Sequence, residues 1–194
     1  MLDFLSSAGK LKTIPRTGWI DSGLKDPESV ADHSYRTAVA ALVLSDSLGL
    51  DSLKVLRMAL LHDLAEAETG DITPMQKQDN HAMLEDQAMK EILGVLPESL
   101  RDQYWGTWQE YQANETLESI LVHDADKIEM ILQASEYKQT DPDAELHRFY
   151  HAMVSPSMKK NSGKDKGEKL DVRVKPLEAP HGLIYSCLWQ LERL

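Results

Sequence analysis

Three insertions of histidine and carboxylate interrupt stretches that otherwise read as core helix. They are Asp32-His33 in "VADHSYR", His62-Asp63 in "ALLHDLAEAETGD", and Asp124 with Asp126 in "HDADK". Buried carboxylates and imidazoles are costly without partners. Singly, each insertion has an ordinary explanation: a buried histidine satisfies a backbone carbonyl, and a buried aspartate caps a helix or pairs with Lys or Arg. Jointly, two imidazoles and two carboxylates make a donor set for one divalent cation (Mn, Co, Fe, Zn or Mg), with water at the open positions. Asp124 and Asp126 compete for the fourth place, and helical periodicity alone does not choose between them. Glu66 follows Asp63 by three residues and His62 by four, which on a helix is the same face one turn along. A carboxylate there can orient or deprotonate a metal-bound water. Glu68 reads as a solvated surface charge.

The elements that must carry these residues are helices. Glycine and proline punctuate the first thirty residues, giving a short N-terminal helix and then an irregular segment. "PESVADHSYRTAVAALVLSDSLGL" is helical, with Gly49 as its stop. Asp51 or Ser52 caps the next helix, whose apolar set is Leu53, Leu56, Ala59, Leu60 and Leu64. Gly70 closes that helix, and "GDITP" is a loop. "HAMLEDQAMKEILGVL" and "ESLRDQYWGTWQEYQA" are two further amphipathic helices. "ETLESILVHDADKIEMILQASEYKQ" is longer and apolar on most faces, which places it inside a bundle. The expected fold class is all-α, a single-domain helical bundle over residues 1–152. A polar segment at 153–181 and a final amphipathic helix at 182–194 follow.

Composition narrows the function classes. The chain has 194 residues, enough for one domain with a substantial core. Its only cysteine, Cys187, excludes an intrachain disulfide or a multi-cysteine metal site. A net charge of −11 disfavours a nucleic-acid polymer as partner. No apolar run is long enough for a membrane span and no secretory leader is visible, so the expectation is a cytoplasmic protein. His81, His147, His151 and His181 read as surface residues. His123 reads as a partner behind the metal ligands, or less simply as a ligand to a second metal.

These residues resemble the HD-domain superfamily of metal-dependent phosphohydrolases. "LKTIPRTGW", "ESVADHSYRTAVAAL", "ALLHDLAEAETGDITP" and "DADKIEMILQASEY" are similar, in order, to segments of its 5'-deoxynucleotidase branch. The resemblance implies an HD-type bundle with His33, His62, Asp63 and Asp126 as metal ligands. It favours Asp126 over Asp124 through the pattern D-K-x-E-M. It implies Glu66 acting on the attacking water, Asp71 holding water or substrate phosphate, and Arg16 on the phosphate. Trp19 either faces the nucleoside or forms a hydrophobic lid. The implied reaction is hydrolysis of deoxyribonucleoside 5'-monophosphates. The alternatives are another nucleotide substrate (a nucleoside triphosphate or a cyclic nucleotide) or a non-catalytic metal-binding scaffold. Relatives suggest a homodimer, for which Tyr104, Trp105 and Trp108 offer an interface or, equally, core. Where the family carries a lysine-rich stretch after "GDITP", this chain has Lys77 as its one lysine, the remaining basic candidate for the substrate.

Overall fold

The computed structural model describes residues 1–151. The expectations for the 153–181 segment, the 182–194 helix, His181 and the His151 side chain lie outside what is described. Eight α-helices follow in order: α1 (Leu2–Lys10), α2 (Thr17–Ile20), α3 (Val30–Leu48), α4 (Ser52–Leu61), α5 (Glu66–Thr69), α6 (His81–Gly94), α7 (Glu98–Ala113) and α8 (Leu117–Thr140). Among the described residues there is no strand; the one extended pairing is an isolated antiparallel bridge between Pro15 and Ser29. The all-α expectation holds.

Local chemistry sets the long helices. Ser29 and Asp32 form a reciprocal capping box at the start of α3, so the aspartate flagged beside His33 is a capping residue. Gly49, at φ 68°, ends α3 in the left-handed region. Asp51 caps α4 by accepting from the Lys54 N–H, and Thr116 with Ser119 boxes the start of α8. α3, α4 and α8 pack on one another and form the centre, flanked by α7 and α6. Val30, Ala41, Val55, Ala59, Leu121, Val122 and Ala125 are fully buried between them.

One expectation about packing is corrected. Ala59 and Leu64 are buried as expected, but Leu53 and Leu60 of α4 are exposed, and the helix buries Val55, Met58 and Leu61 in their place. α4 carries two apolar stripes, and its neighbours select the one that meets α3, α7 and α8. Trp108 is buried, with its indole N–H donating to Asp86 (2.8 Å), and Tyr104 and Trp105 pack on the core. Trp108 is therefore core, and Tyr104 and Trp105 are half-buried against it. A smaller apolar cluster of Trp19, Ala134, Ala144, Leu146 and Phe149 sits beside the main core.

Candidate metal centre and active site

α3, the end of α4 and the middle of α8 deliver the expected donors to one place. The capping box fixes the first turn of α3, and His33 lies in it, fully buried. Its Nε2 is 3.1 Å from Asp126 Oδ1 and 3.6 Å from Asp63 Oδ2. His62 Nε2 lies 3.1 Å from the same Asp63 oxygen. Ligand atoms of His33, His62 and Asp126 all fall within 4.8 Å of one another. Asp124 is buried outside this group, with Lys127 Nζ 3.8 Å away. The geometry therefore sides with Asp126.

The segment joining α4 to α5 departs from the single helix expected. From Leu61 the backbone tightens into successive i→i+3 bonds: Leu64 to Leu61, Glu66 to Asp63, Ala67 to Leu64. This turn puts His62 and Asp63 at a helix end and still sends Glu66 inward. The Glu66 carboxyl is largely buried, and its Oε2 has no hydrogen-bond partner. His62 Nε2 is likewise buried without one, because Asp63 is near but poorly aligned. Two buried polar atoms left bare beside clustered carboxylates are what a bound cation relieves. The donor set of imidazole nitrogens and carboxylate oxygens suits such a cation.

A loop brings cationic charge over the cluster. Arg16 N–H bonds the Glu28 carbonyl and Val30 N–H bonds the Ile14 carbonyl, which pins the two arms of residues 14–30 side by side. The Arg16 guanidinium then reaches Asp63 Oδ2 (3.4 Å) and Asp71 Oδ1 (3.3 Å). Asp71 also accepts from the Thr17 backbone N–H, and its carbonyl accepts from Thr17 Oγ1 (2.7 Å). Arg16, Asp63, Glu66, Asp71, His33, His62 and Asp126 thus form one continuous polar cluster.

Its electrostatics are strongly perturbed. Burial disfavours a charged His33, as does Arg16, but hydrogen bonds to Asp126 and Glu129 outweigh both and lift the imidazole to about 10. Burial opposes ionisation of Asp63, yet His62, Arg16 and His33 hold it well below the usual carboxylate range. Glu66 moves the other way: burial first, then the Asp63 and Asp71 carboxylates, push it up to about 10. Neighbouring carboxylates driven apart in this way are a recurrent feature of functional sites and of buried ion-pair networks.

Other expected residues land elsewhere. Trp19 is 2% exposed, its ring against Phe149 (centroids 4.0 Å apart) and edge-on to Tyr137 (5.3 Å). Its N–H donates to Glu28 (2.9 Å), so little of the indole is free for a nucleoside and the lid-type packing is realised. Lys77 is exposed and pairs with Glu85 (3.0 Å); no contact ties it to the cluster. His81, expected at the surface, is buried, with Nε2 2.8 Å from the same Glu85. His147 is exposed as expected. His123 stacks on Tyr111 (4.1 Å, 14°) and donates to its backbone carbonyl, behind His62 rather than beside the ligands.

Three participants were missed in the sequence. Glu129 lies behind His33, 2.5 Å from its Nδ1, and Arg36 holds Glu129. Glu28 receives the Trp19 N–H, and burial with the nearby Glu129 carboxylate pushes it up to about 7. Two signals were available: Glu129 is the glutamate of the pattern D-K-x-E-M, and it is a charge between Ile128 and Met130 in the most apolar helix, one turn after Asp126.

Comparison with known proteins accords with this site. An HD-domain family model matches residues 8–164. The chain is 43% identical over 154 residues to the human 5'-deoxynucleotidase HDDC2, covering 77% of this chain and 74% of that protein. The Dictyostelium discoideum protein of the same name is 42% identical over 147 residues, 71% of this chain and 77% of its own length. Among solved structures, the PH0347 protein of Pyrococcus horikoshii superposes with a TM-score of 0.74 at 29% identity, covering 100% of this chain and 99% of that one.

Proposed function

This chain belongs to the HD-domain family, and from that premise we propose that it is a metal-dependent 5'-deoxynucleotidase, a hydrolase. It converts deoxyribonucleoside 5'-monophosphates to deoxynucleoside and phosphate. The observation that carries the reading is the convergence of His33, His62, Asp63 and Asp126 beneath Arg16, with the buried Glu66 and Asp71 alongside. The similarity to relatives named 5'-deoxynucleotidase supports the substrate class.

His33, His62, Asp63 and Asp126 would hold one divalent cation (Mn, Co, Fe, Zn or Mg). Such an ion lowers the pKa of water and withdraws charge from phosphoryl oxygens. The rest falls to side chains of this chain. Arg16 presents a planar, permanently charged fork that matches two phosphate oxygens. It gives up part of its contact with Asp63 and Asp71 to do so, and its charge acts where negative charge shifts as the ester bond breaks. Glu66 accepts the proton of the attacking water. Asp71 keeps Arg16 and Thr17 in place. No covalent nucleophile is required. Trp19 contributes by bracing the loop that carries Arg16, and Lys77 is a peripheral cation beside Glu85.

We further infer a cytoplasmic homodimer whose partner is a small nucleotide, with neither a nucleic-acid polymer nor a membrane involved. Among the described residues no helix is long and apolar enough to cross a membrane. The deciding experiment measures phosphate release from deoxyribonucleoside and ribonucleoside monophosphates, with nucleoside triphosphates and cyclic nucleotides in parallel. It is run with EDTA and with added Mn²⁺ or Co²⁺. Release from the deoxy monophosphates that EDTA abolishes is expected; no release from any of them under any metal overturns the reading. Sedimentation of the purified chain tests the dimer.

A further inference from the structure

Glu129 is a buried carboxylate, 1% exposed, on the middle of α8. One oxygen, Oε2, lies 2.5 Å from His33 Nδ1. The other, Oε1, accepts from Arg36 Nε at 2.9 Å and lies 2.8 Å from a terminal nitrogen of the same guanidinium. Arg36 is itself held by Gln133 Oε1 (2.5 Å) and Glu136 Oε2 (2.7 Å). Its side chain bridges from α3 to three residues of α8 spaced along one face.

An imidazole that offers Nε2 to a cation must carry its proton on Nδ1, and the group facing Nδ1 decides whether it does. We propose that Glu129 is a positioning residue: it holds His33 as the Nδ1–H tautomer with Nε2 turned toward the cation, and Arg36 clamps it there. The inference rests on the metal-centre reading above. His62 supports the logic, because its Nδ1–H faces the Ala59 carbonyl at 2.7 Å. Both imidazoles are thus oriented from behind, one by a neutral backbone oxygen and one by a charged carboxylate. A carboxylate behind the ring also makes the imidazole a stronger donor. Asp126 and Glu129 sit one turn apart on α8, so a single helix supplies the partner of each His33 nitrogen. Glu28, His33 and Glu129 also lie close enough to resemble a cation site. Arg36 already neutralises Glu129 there, and His33 Nδ1 is committed, so that trio works as a hydrogen-bonded support.

The test measures Co²⁺ affinity of the full chain by competition with a chromophoric chelator, alongside the melting midpoint of the metal-free protein. Glu129→Gln keeps the volume and an acceptor oxygen but removes the charge. Its Co²⁺ affinity is expected to fall by about 10–100-fold, the range for supports behind metal ligands. The metal-free midpoint should also fall, because the charge facing His33 and Arg36 is lost. Co²⁺ affinity measured well below that midpoint, where the variant is folded, should still drop, and the Co²⁺ ligand-field absorption should change. Arg36→Met, at a side chain 30% exposed, should weaken affinity in the same direction but less, and it decides the matter if Glu129→Gln does not fold. Folded variants that bind Co²⁺ as the wild type does overturn the proposal. So does a loss of affinity that appears only as the metal-free midpoint is approached, which assigns these residues a structural role. A wild-type chain that binds no Co²⁺ sinks the metal-centre reading itself and the proposal with it; wild-type binding with unchanged variants sinks the positioning role alone.

Discussion

Glu66 and Arg16 show how far neighbours reset a residue's chemistry. Buried next to Asp63 and Asp71, Glu66 keeps its proton up to about 10 when no cation opposes those charges. A dication beside it reverses that balance and frees the carboxylate to accept a proton. Glu66→Gln should therefore lower kcat by about 10²–10⁴, the usual worth of a positioned general base, while Co²⁺ still binds. Steady-state kinetics and a chelator competition read the two effects separately. Arg16 meets two carboxylates through one guanidinium nitrogen and has its remaining donors for phosphate. Arg16→Lys keeps the charge and loses the fork, so kcat/KM should drop by about 10–100-fold, equivalent to about 1.5–3 kcal/mol for a charged hydrogen bond. The donor types were legible from His33, His62-Asp63 and Asp126. Glu129 and Arg36 were not, because a lone buried charge in a sequence does not name its partner 93 or 96 residues away.

At the scale of elements, the decisive feature is the tightened turn from Leu61 to Glu66. A regular helix would set Glu66 on the face of His62 and Asp63, one turn further along the axis. The i→i+3 bonds instead turn the chain so that His62, Asp63 and Glu66 all face inward. Gly70 then ends α5 at φ 75° and ψ 164°, a region essentially reserved for glycine, and hands the chain to Asp71. Gly70→Ala should cost about 1–3 kcal/mol in a denaturant titration and reduce turnover by displacing Asp71 from Arg16 and Thr17. The glycine stop was legible in the sequence, as were the caps at Asp51 and Gly49, because each acts on its own backbone. The buried face of α4 was not, since Leu53 and Leu60 are as apolar as Val55 and Met58. Only the positions of α3, α7 and α8 choose between the two stripes.

For the whole molecule, the buried protons couple stability to pH and to metal. His33 is raised from 6.5 to about 10, Glu66 from 4.5 to about 10, and Glu28 from 4.5 to about 7. In each case the folded chain holds protons that the unfolded chain releases. Stability from these groups is complete below their unfolded values and is lost as pH rises through the folded ones. The metal-free melting midpoint should therefore fall steadily between about pH 5 and pH 10. With Mn²⁺ or Co²⁺ present the cation replaces protons on the ligands, so the stabilisation by metal should grow with pH across that window. At a free ion concentration 100 times Kd the gain is about 2.7 kcal/mol, a rise of about 5–10 °C in a chain of this size. Calorimetry with and without EDTA at several pH values measures both trends; a metal-free midpoint that rises over that range would contradict the assignment.

Helix, cap, stop and donor type are written in residues within a turn or two of one another. The sequence alone therefore determined an all-α bundle and offered His33, His62, Asp63 and Glu66 as candidate donors, with Arg16 added by the family resemblance. Which aspartate of α8 closes the cluster, what stands behind His33, and whether Trp19 and His81 are buried were decided only in the tertiary structure. Each of those depends on where α3, α4 and α8 cross, and on how a loop pinned at Pro15 and Ser29 lies over them. Burial is a property of that crossing and of no single helix, so a local pattern cannot carry it.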